Sequence, residues 1–211
     1  MATWIWIFII LAGGLFALKI IYVLSIALVL PITQGALYVS TSRAKIAAFI
    51  NAVPMQADQM LVDLGCGDGR VLREVQKRYG VRTVGYEINP LAYLKARLFY
   101  FGVNRIKISR QNFWEADLSE ADLVFCYLYP DVMKKLASKL VAGLKPGAVV
   151  VSSNFSLPGF VPSKVLRLAR SLHNDPMYIY HLSGSAPPAL QETTEFRNFC
   201  PETAVCMKKQ L

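Results

Sequence analysis

Short apolar runs alternate with segments of helical spacing along most of the chain after residue 40. Apolar runs bounded by Gly and Pro are typical of buried strands, whereas apolar residues that recur every three or four positions indicate helices. The predicted strands are 59–64, 81–87, 106–109, 122–127 and 148–152. The predicted helices are 43–52, 70–79, 90–100 and 130–144. This alternation predicts an α/β fold with a parallel sheet and helices on both faces.

The pattern changes near the end of the chain. A loop with Pro and Gly at 156–163 replaces a further helix. Apolar runs at 164–172 and 177–182 then flank the turn His173-Asn174-Asp175-Pro176. Two such runs joined by a turn predict an antiparallel hairpin. A polar tail follows, with one more strand expected at 203–207.

An apolar stretch of a different kind precedes this domain. Between Trp4 and Leu30 the only charged residue is Lys19. The stretch exceeds the roughly 20 residues that cross a bilayer as a helix. A secretory signal would begin with a basic segment, and no Lys or Arg precedes Trp4, so a retained transmembrane helix is expected. The expected division of the chain is an anchor at 1–32, a main domain at 41–183 and an extension at 184–211.

Charge near the apolar stretch predicts its orientation. Lys and Arg favour the cytoplasmic side, and Arg43 and Lys45 follow the stretch closely. The main domain is therefore expected on the cytoplasmic side, at the inner membrane in a bacterium. Lys19, an ionisable residue within the span, is either a functional residue or one that snorkels toward the same side. The formal net charge of +9 suits an anionic membrane surface. Acidic substrates or nucleic acid would suit the same charge.

The strand at 59–64 runs into a glycine-rich turn, Asp63-Leu64-Gly65-Cys66-Gly67-Asp68-Gly69-Arg70. A turn of this kind between a strand and a helix is where an open α/β sheet binds a nucleotide-like ligand. Dinucleotide sites use Gly-x-Gly-x-x-Gly, which seats a pyrophosphate on the helix N-terminus. Here the spacing is Gly-x-Gly-x-Gly, which suits a ligand without phosphate, and Asp63 can hold an amino group. The turn therefore predicts S-adenosylmethionine as the ligand, and hence methyl transfer.

A second acid supports this prediction. Glu87 ends the predicted second strand, about twenty residues after the glycine turn, where nucleotide-binding α/β folds place an acceptor for ribose hydroxyls. No metal site is expected, because Cys66 and Cys126 fall in the turn and at a strand end, and Cys200 and Cys206 are too few for zinc. The cysteine pattern suits a reducing compartment.

These motifs resemble the class I S-adenosylmethionine-dependent methyltransferases. Within that class, the chain resembles the small membrane-anchored protein-lysine methyltransferases, whose eukaryotic members modify the ATP synthase c subunit and the adenine nucleotide translocase. The resemblance covers 41–182 and rests on the apolar N-terminus, the glycine turn, Gly85-Tyr86-Glu87-Ile88-Asn89 and Phe155-Ser156-Leu157-Pro158. It implies a Rossmann-like, seven-stranded class I methyltransferase sheet with helices on both faces, preceded by one transmembrane helix.

The resemblance also implies roles for individual residues. Asp63, Gly65 and Gly67 would line the methionine end of the cofactor, and Glu87 would bind its ribose. The family commonly has an acid and an apolar residue after the third strand, against adenine, where this chain has Asn112-Phe113. An amide can still pair with an adenine edge, because it both donates and accepts. The remaining expected cofactor contacts are Cys66, Asp68 and Cys126.

The residues after the fourth predicted strand are expected to face the acceptor. Tyr127 or Tyr129 could orient an amine by its hydroxyl or its ring, or could simply pack the loop. Nucleic-acid base methyltransferases of the amino-methylating type typically have Asn or Asp, two prolines and an aromatic residue there. The sequence Tyr127-Leu128-Tyr129-Pro130 lacks both the polar first residue and the paired prolines. Nucleic acid is therefore not the expected substrate.

The expected activity is methylation of a lysine in a membrane-associated protein. A lysine nucleophile must first lose its proton, and an apolar channel favours that loss. Two alternatives remain open from the residues alone. One is N-methylation of a lipid or small amine, and the other is a cofactor-binding membrane protein without catalysis.

Overall fold

A computed structural model describes residues 2–29, 40–168 and 175–182. The helices are α1 Ala2–Val29, α2 Arg43–Ala52, α3 Arg70–Tyr79, α4 Pro90–Phe99 and α5 Pro130–Gly143. The strands are β1 Met60–Leu64, β2 Arg82–Tyr86, β3 Ile106–Ser109, β4 Leu123–Cys126, β5 Val149–Ser153, β6 Lys164–Leu166 and β7 Met177–His181. A 3₁₀ turn at Phe113–Glu115 lies between β3 and β4. The alternation read from the sequence is therefore confirmed, with strand ends within a residue or two of those predicted.

The strands form one seven-stranded sheet in the order β3-β2-β1-β4-β5-β7-β6. The pairs β3–β2, β2–β1, β1–β4 and β4–β5 are parallel, and β7 is antiparallel to both β5 and β6. The terminal hairpin is thus confirmed, although its first strand ends at Leu166 rather than at the predicted Leu172. The additional strand expected at 203–207 lies outside the described residues.

Two apolar layers cover the sheet. On one face lie α2, α3 and α4, of which α3 packs on β1 and β2 and α4 packs on β3, with Phe49, Leu61 and Leu72 nearly inaccessible to solvent. On the other face α5 packs through Leu136 and Leu140 against β1, β4 and β5. β1 is buried along its whole length because an apolar layer covers it on each face of the sheet. The ends of β1 and β4, from which the next segments of the chain emerge, are therefore held in a packed core.

Strand register brings the expected site together. Leu64, the last residue of β1, lies opposite Tyr86 of β2 and Cys126 of β4. The segments that follow these strands consequently emerge side by side at the carboxyl edge of the sheet, where ligands bind in open α/β folds. These segments are the glycine turn, the stretch that begins with Glu87 and the stretch that begins with Tyr127.

The N-terminal helix α1 is separate in character from the domain. Its segment Thr3–Leu24 has a mean hydropathy of 2.5 and none of it is buried against the protein. It is long and apolar enough to cross a membrane, by length and composition, although a signal sequence near an N-terminus meets the same criteria. α1 touches the domain at α4.

Candidate active site

The glycine turn between β1 and α3 has a backbone that only glycine adopts easily. Gly65, Gly67 and Gly69 have φ of 78°, 57° and 75°, in the left-handed region. The backbone N–H groups of Gly65 and Cys66 both donate to the carbonyl oxygen of Tyr86, at 2.9 and 3.0 Å. The turn is therefore held against the end of β2 while α3 begins directly after it.

Gly85 of β2 is a further requirement of this turn. A Cβ at Gly85 would lie 2.5 Å from Cys66 Sγ and 2.6 Å from Leu72 Cδ1. A side chain at Gly85 would therefore push the turn and α3 away from the sheet. The sequence motif includes Gly85, but the pattern alone does not indicate that its role is to let the turn pack closely.

Glu87 bridges the turn and the start of α4. Its carboxylate accepts hydrogen bonds from the backbone N–H groups of Gly67, at 2.8 Å, and Asn89, at 2.7 Å. The side chain is largely buried, and burial raises the pKa of the Glu87 carboxyl while these backbone donors oppose the rise. Each carboxylate oxygen keeps further lone-pair capacity, so Glu87 can still accept from a ligand hydroxyl.

Asp63 has a different environment. Its side chain is 3% exposed, and among the described residues it has no hydrogen-bond or ion-pair partner. It lines a small cavity with Gly65, Cys66, Thr41 and Tyr127. Burial raises the pKa of the Asp63 carboxyl well above its ordinary value, and Glu87 and Asp68 raise it further. A ligand ammonium at this cavity would relieve both effects, so the arrangement fits the amino group of S-adenosylmethionine.

Asp68 is occupied by the protein itself. Its carboxylate accepts from Arg70 at 2.7 Å and from Lys95 at 3.2 Å. Burial acts to raise the pKa of Asp68, but these two partners outweigh it and hold the pKa at about 2. Arg70 also donates to the carbonyl oxygen of Thr41, at 3.4 Å. Asp68 thus ties α3 to α4 and, through Arg70, to the segment before α2. Its predicted contact with cofactor remains a prediction.

Asn112 and Phe113 follow β3, next to β2 in the sheet. The side-chain oxygen of Asn112 accepts from the backbone N–H of Trp114 at 3.1 Å, which caps the 3₁₀ turn. Its amide NH₂ remains available as a donor toward an adenine ring nitrogen. The rings of Phe113 and Trp114 pack at 4.7 Å between centroids, and Lys135 Nζ lies 4.9 Å from the centre of the Trp114 ring.

The two cysteines predicted to contact cofactor have buried thiols. Cys126 is fully buried in the core, and burial raises the pKa of its thiol to about 12. Cys66 is also buried, and burial raises the pKa of its thiol well above the ordinary value. Neither thiol is set up as a nucleophile, because the thiolate is strongly disfavoured. The predicted contact of Cys126 with the cofactor would therefore be made by its backbone rather than by its thiol.

Tyr127 belongs to a polar cluster that sequence reasoning did not anticipate. Asn154 Nδ2 donates to the Tyr127 hydroxyl at 3.0 Å. The buried ammonium of Lys45 lies 5.3 Å from the centre of the Tyr127 ring, donates to Asn154 Oδ1 and pairs with Asp175 at 3.1 Å. Burial raises the pKa of the Tyr127 hydroxyl, and Asp175 and Tyr129 raise it further.

The cluster joins α2, the residues directly after β4 and β5, and Asp175, which lies two residues before β7. The one available signal in the sequence is Asn154, a polar residue directly after β5; its φ of 72° is the left-handed conformation that Asn tolerates. Tyr129, the other predicted substrate-orienting residue, immediately precedes α5 and is half-buried. Its backbone carbonyl accepts from the Val132 N–H at 3.2 Å, which ties the Tyr129 backbone to the start of that helix.

Comparisons with known proteins identify relatives of this chain. A sequence profile of the ANTKMT methyltransferase domain matches residues 63–164. The protein-lysine N-methyltransferase of Saccharolobus islandicus (strain REY15A) is 35% identical over 147 residues, which are 68% of this chain and 91% of that protein. The adenine nucleotide translocase lysine N-methyltransferase of Mus musculus is 31% identical over 161 residues, 74% of this chain and 68% of that protein.

A similar solved structure extends the comparison to a bound ligand. The crystal structure of an RNA methyltransferase from Salinibacter ruber, in complex with S-adenosyl-L-homocysteine, has a TM-score of 0.66 and 30% sequence identity. It covers 72% of this chain and 99% of that one. The fold, the glycine turn with its unpartnered acid and the relatives agree on the cofactor, which is S-adenosylmethionine. The chain belongs to the protein-lysine N-methyltransferase family that carries the ANTKMT methyltransferase domain.

Proposed function

We propose that this enzyme methylates a lysine of a membrane-associated protein, and that α1 anchors it in the same membrane. The observation that carries the proposal is α1 itself, whose segment Thr3–Leu24 has Lys19 as its one charged residue and has no residue buried in the domain. An apolar surface of this size is costly in water, and a bilayer removes it from water. The proposed division is an anchor at 1–32, a catalytic domain at 41–183 and an extension at 184–211.

The proposed orientation follows from charge. Arg43 and Lys45 come after the span, which favours a cytoplasmic domain. The mouse relative is named for the adenine nucleotide translocase, a membrane protein, which supports a substrate in the same plane. Confining enzyme and substrate to one membrane raises their effective concentration without any additional contact.

We assign the cofactor contacts by the chemistry of each group. Asp63 holds the amino group of the methionine end, because it is a buried carboxylate with no ion-pair partner among the described residues, and Arg70 at the same cavity is paired with Asp68. Gly65 and Gly67 allow the backbone to approach that end. Glu87 accepts from the ribose hydroxyls, and Asn112 with Phe113 forms one wall for the adenine.

The cofactor supplies an electrophilic methyl group on a sulfonium, which an amine displaces in line. The protein's contribution is alignment, which in well-oriented reactions is a large part of the rate enhancement. Tyr127 is proposed to orient the acceptor. Its hydroxyl oxygen accepts from Asn154 and retains a lone pair for an amine N–H, so the amine's own lone pair can point at the methyl group. Tyr129 is proposed as a second wall beside the acceptor.

Two other acceptors have specific support. The Salinibacter ruber structure is of an RNA methyltransferase, and the net charge of +9 would suit RNA as well as an anionic membrane. A lipid amine would suit an anchored enzyme equally. We favour protein lysine because the relatives that match the greater part of this chain are protein-lysine methyltransferases.

One labelling experiment separates the three acceptors. Source-cell membranes are incubated with the full chain and cofactor carrying a radioactive methyl group, with Gly65→Val as the inactive control. We expect the label to remain with protein after lipid extraction and ribonuclease treatment, and to be recovered as methyl-lysine after hydrolysis. Label that leaves with the organic phase would instead support a lipid amine. Label that ribonuclease releases would support RNA.

A further inference from the structure

Helix α4 carries its apolar side chains on the outside. Leu94 and Leu98 are 52% and 70% exposed, and Phe101, two residues beyond the end of α4, is 78% exposed. Leu94 and Leu98 are four positions apart and therefore lie on one helix face. On the side of α4 that faces the sheet, Ala96 is fully buried and Tyr93 packs, half-buried, against the core. The helix therefore leaves large apolar residues in solvent that an ordinary amphipathic helix would bury.

Phe99 extends this surface, which we call the α4 face: Leu94, Leu98, Phe99 and Phe101. Single exposed apolar residues are common, but adjoining ones on one element mark an interaction surface. Cations border the α4 face. Lys95 Nζ lies 5.8 Å from the centre of the Phe99 ring, and Arg97 is exposed in the last turn of the helix.

The net charge around the α4 face is positive. No Asp or Glu occurs from residue 90 to residue 112. On the neighbouring helix α3 the single acid, Glu74, lies among Arg73, Lys77 and Arg78. Asp68, the other nearby acid, is already paired with Arg70 and Lys95. An apolar surface bordered by net positive charge is complementary to a layer of anionic lipid headgroups over acyl chains.

The position of α1 points to the same partner. The apolar N-terminal helix contacts the domain at α4, the element that bears this face. A membrane that contains α1 would consequently run beside α4, within reach of the exposed side chains. An apolar face beside a membrane entry point has the bilayer itself as its nearest apolar surface.

We propose that the α4 face is a second membrane contact, which docks on an anionic bilayer surface and inserts Leu98, Phe99 and Phe101 among the lipids. This proposal rests on the membrane location proposed above, but not on the identity of the acceptor. The two contacts together fix the tilt of the domain. Because α4 begins next to Asn89, which donates to Glu87, docking also sets the height of the cofactor site above the membrane.

The test places a tryptophan on the α4 face and another away from it. Phe101→Trp and Val161→Trp both replace exposed apolar residues, and Val161 is 91% exposed. Val161 follows β5, toward the β6 edge of the sheet, whereas α4 leads into β3 at the opposite edge. The full chains are inserted singly into lipid nanodiscs of phosphatidylcholine, alone or mixed with phosphatidylglycerol. Quenching of the added fluorescence by brominated lipid is measured against the unsubstituted chain.

We expect quenching and a blue shift for Phe101→Trp in the anionic discs, and neither for Val161→Trp. Arg97→Gln in the Phe101→Trp background should lower the ratio of docked to undocked molecules about five-fold, the effect of losing one cation near an anionic surface. Equal quenching at both positions, or none at Phe101→Trp in a chain retained by the discs, overturns the docking proposal alone. A chain that the discs do not retain overturns the anchor as well. The introduced tryptophan could instead become buried only in discs that hold two chains, without being quenched by brominated lipid. That result would assign the α4 face to self-association.

Discussion

The Glu87 carboxylate accepts a hydrogen bond from the backbone N–H of Gly67 at 2.8 Å. This contact joins the residue proposed to bind the ribose to the turn proposed to bind the methionine end. Glu87 also accepts from Asn89, the residue that caps α4. The proposed ribose and methionine contacts are therefore built as one unit, and a change at Glu87 should affect both.

Replacing Glu87 by alanine should weaken cofactor binding by about 1.5–3 kcal/mol, the range for a hydrogen bond to a charged group. The loss corresponds to a roughly ten-fold or greater increase in Kd, measurable by calorimetry. Glu74→Ala is the matched control, since Glu74 is an exposed acid on α3 away from the turn. Equal affinity in the Glu87→Ala and Glu74→Ala proteins would mean that Glu87 is not a cofactor ligand.

Two aspartates of the same turn should respond oppositely to amidation. Asp63→Asn should raise the thermal stability of the cofactor-free protein, because a buried amide costs less than a carboxylate facing Glu87 and Asp68. Asp68→Asn should lower stability by roughly 1 kcal/mol, allowing for solvent around its half-exposed partners. Asp63→Asn should also weaken cofactor binding. Melting curves and calorimetry on both variants test the pair, and a stabilised Asp68→Asn would contradict it.

The effects of these two substitutions on stability should depend on pH. The raised pKa of Asp63 costs the folded state stability as pH rises above the ordinary value of 3.8, so the advantage of Asp63→Asn should grow with pH. Asp68 has a depressed pKa, so its contribution is present above 3.8 and disappears as pH falls through about 2. The pH-dependent part of each difference from the unsubstituted protein should therefore disappear in acid, from opposite signs at neutral pH.

Tyr127→Phe should reduce kcat about 10- to 100-fold, since misplacing a reacting group is costly, while cofactor affinity stays the same. Tyr79→Phe is the control, because Tyr79 also loses a hydroxyl hydrogen bond, to the carbonyl of Ile50 at 2.5 Å, but outside the site. Steady-state kinetics with a lysine-containing substrate would decide the role. An unchanged kcat in Tyr127→Phe would assign Tyr127 to packing alone.

Lys45 and Asp175 should behave as one unit. Lys45→Met and Asp175→Asn each break the same ion pair of 3.1 Å, so the two losses of stability should not add. A double-mutant cycle should give a coupling of about 0.5–3 kcal/mol. Lys134 with Asp175 provides the uncoupled comparison, as Lys134 is on α5 and makes no described contact with Asp175. Additive losses for Lys45 and Asp175 would show that the pair contributes nothing of its own.

Deleting residues 1–30 should leave cofactor affinity unchanged and reduce methylation of a substrate held in membranes. The reason is that the anchor contributes effective concentration rather than contacts with the cofactor. The control is a soluble peptide carrying the same target lysine, on which the deleted and full chains should be equally active. Full activity of the deleted chain on membranes would remove the role proposed for α1.

The sequence predicted the parts of the fold that depend on local pattern. The helix at 70–79 and the strand at 106–109 were placed at their observed bounds, because glycine turns and apolar spacing mark them. The first strand of the hairpin was predicted to reach Leu172, but it ends at Leu166. A hydrophobic run gives no information about where a partner strand ceases to pair.

The candidate site could be predicted only where its residues belong to one local motif. The glycine turn and Glu87 are recognisable because spacing along the chain determines their meeting. Lys45 and Asn154 are separated by 109 positions and meet only when α2 packs over β4 and β5. Likewise, the local sequence predicts that Asp68 is free to bind a ligand. In the structure it is paired with Lys95, which belongs to another helix. Such contacts depend on tertiary packing, which the local pattern does not encode.

The ion pair at Lys45 has a consequence for an enzyme that modifies lysines. Lys45 lies against Tyr127, the residue proposed to receive the substrate amine, and so carries the reactive group of a substrate within its own catalytic domain. An amine attacks only through its lone pair, and in an ammonium paired with Asp175 that lone pair holds a proton. If Tyr127 orients the acceptor amine as proposed, the pairing with Asp175 also keeps Lys45 from acting as that acceptor.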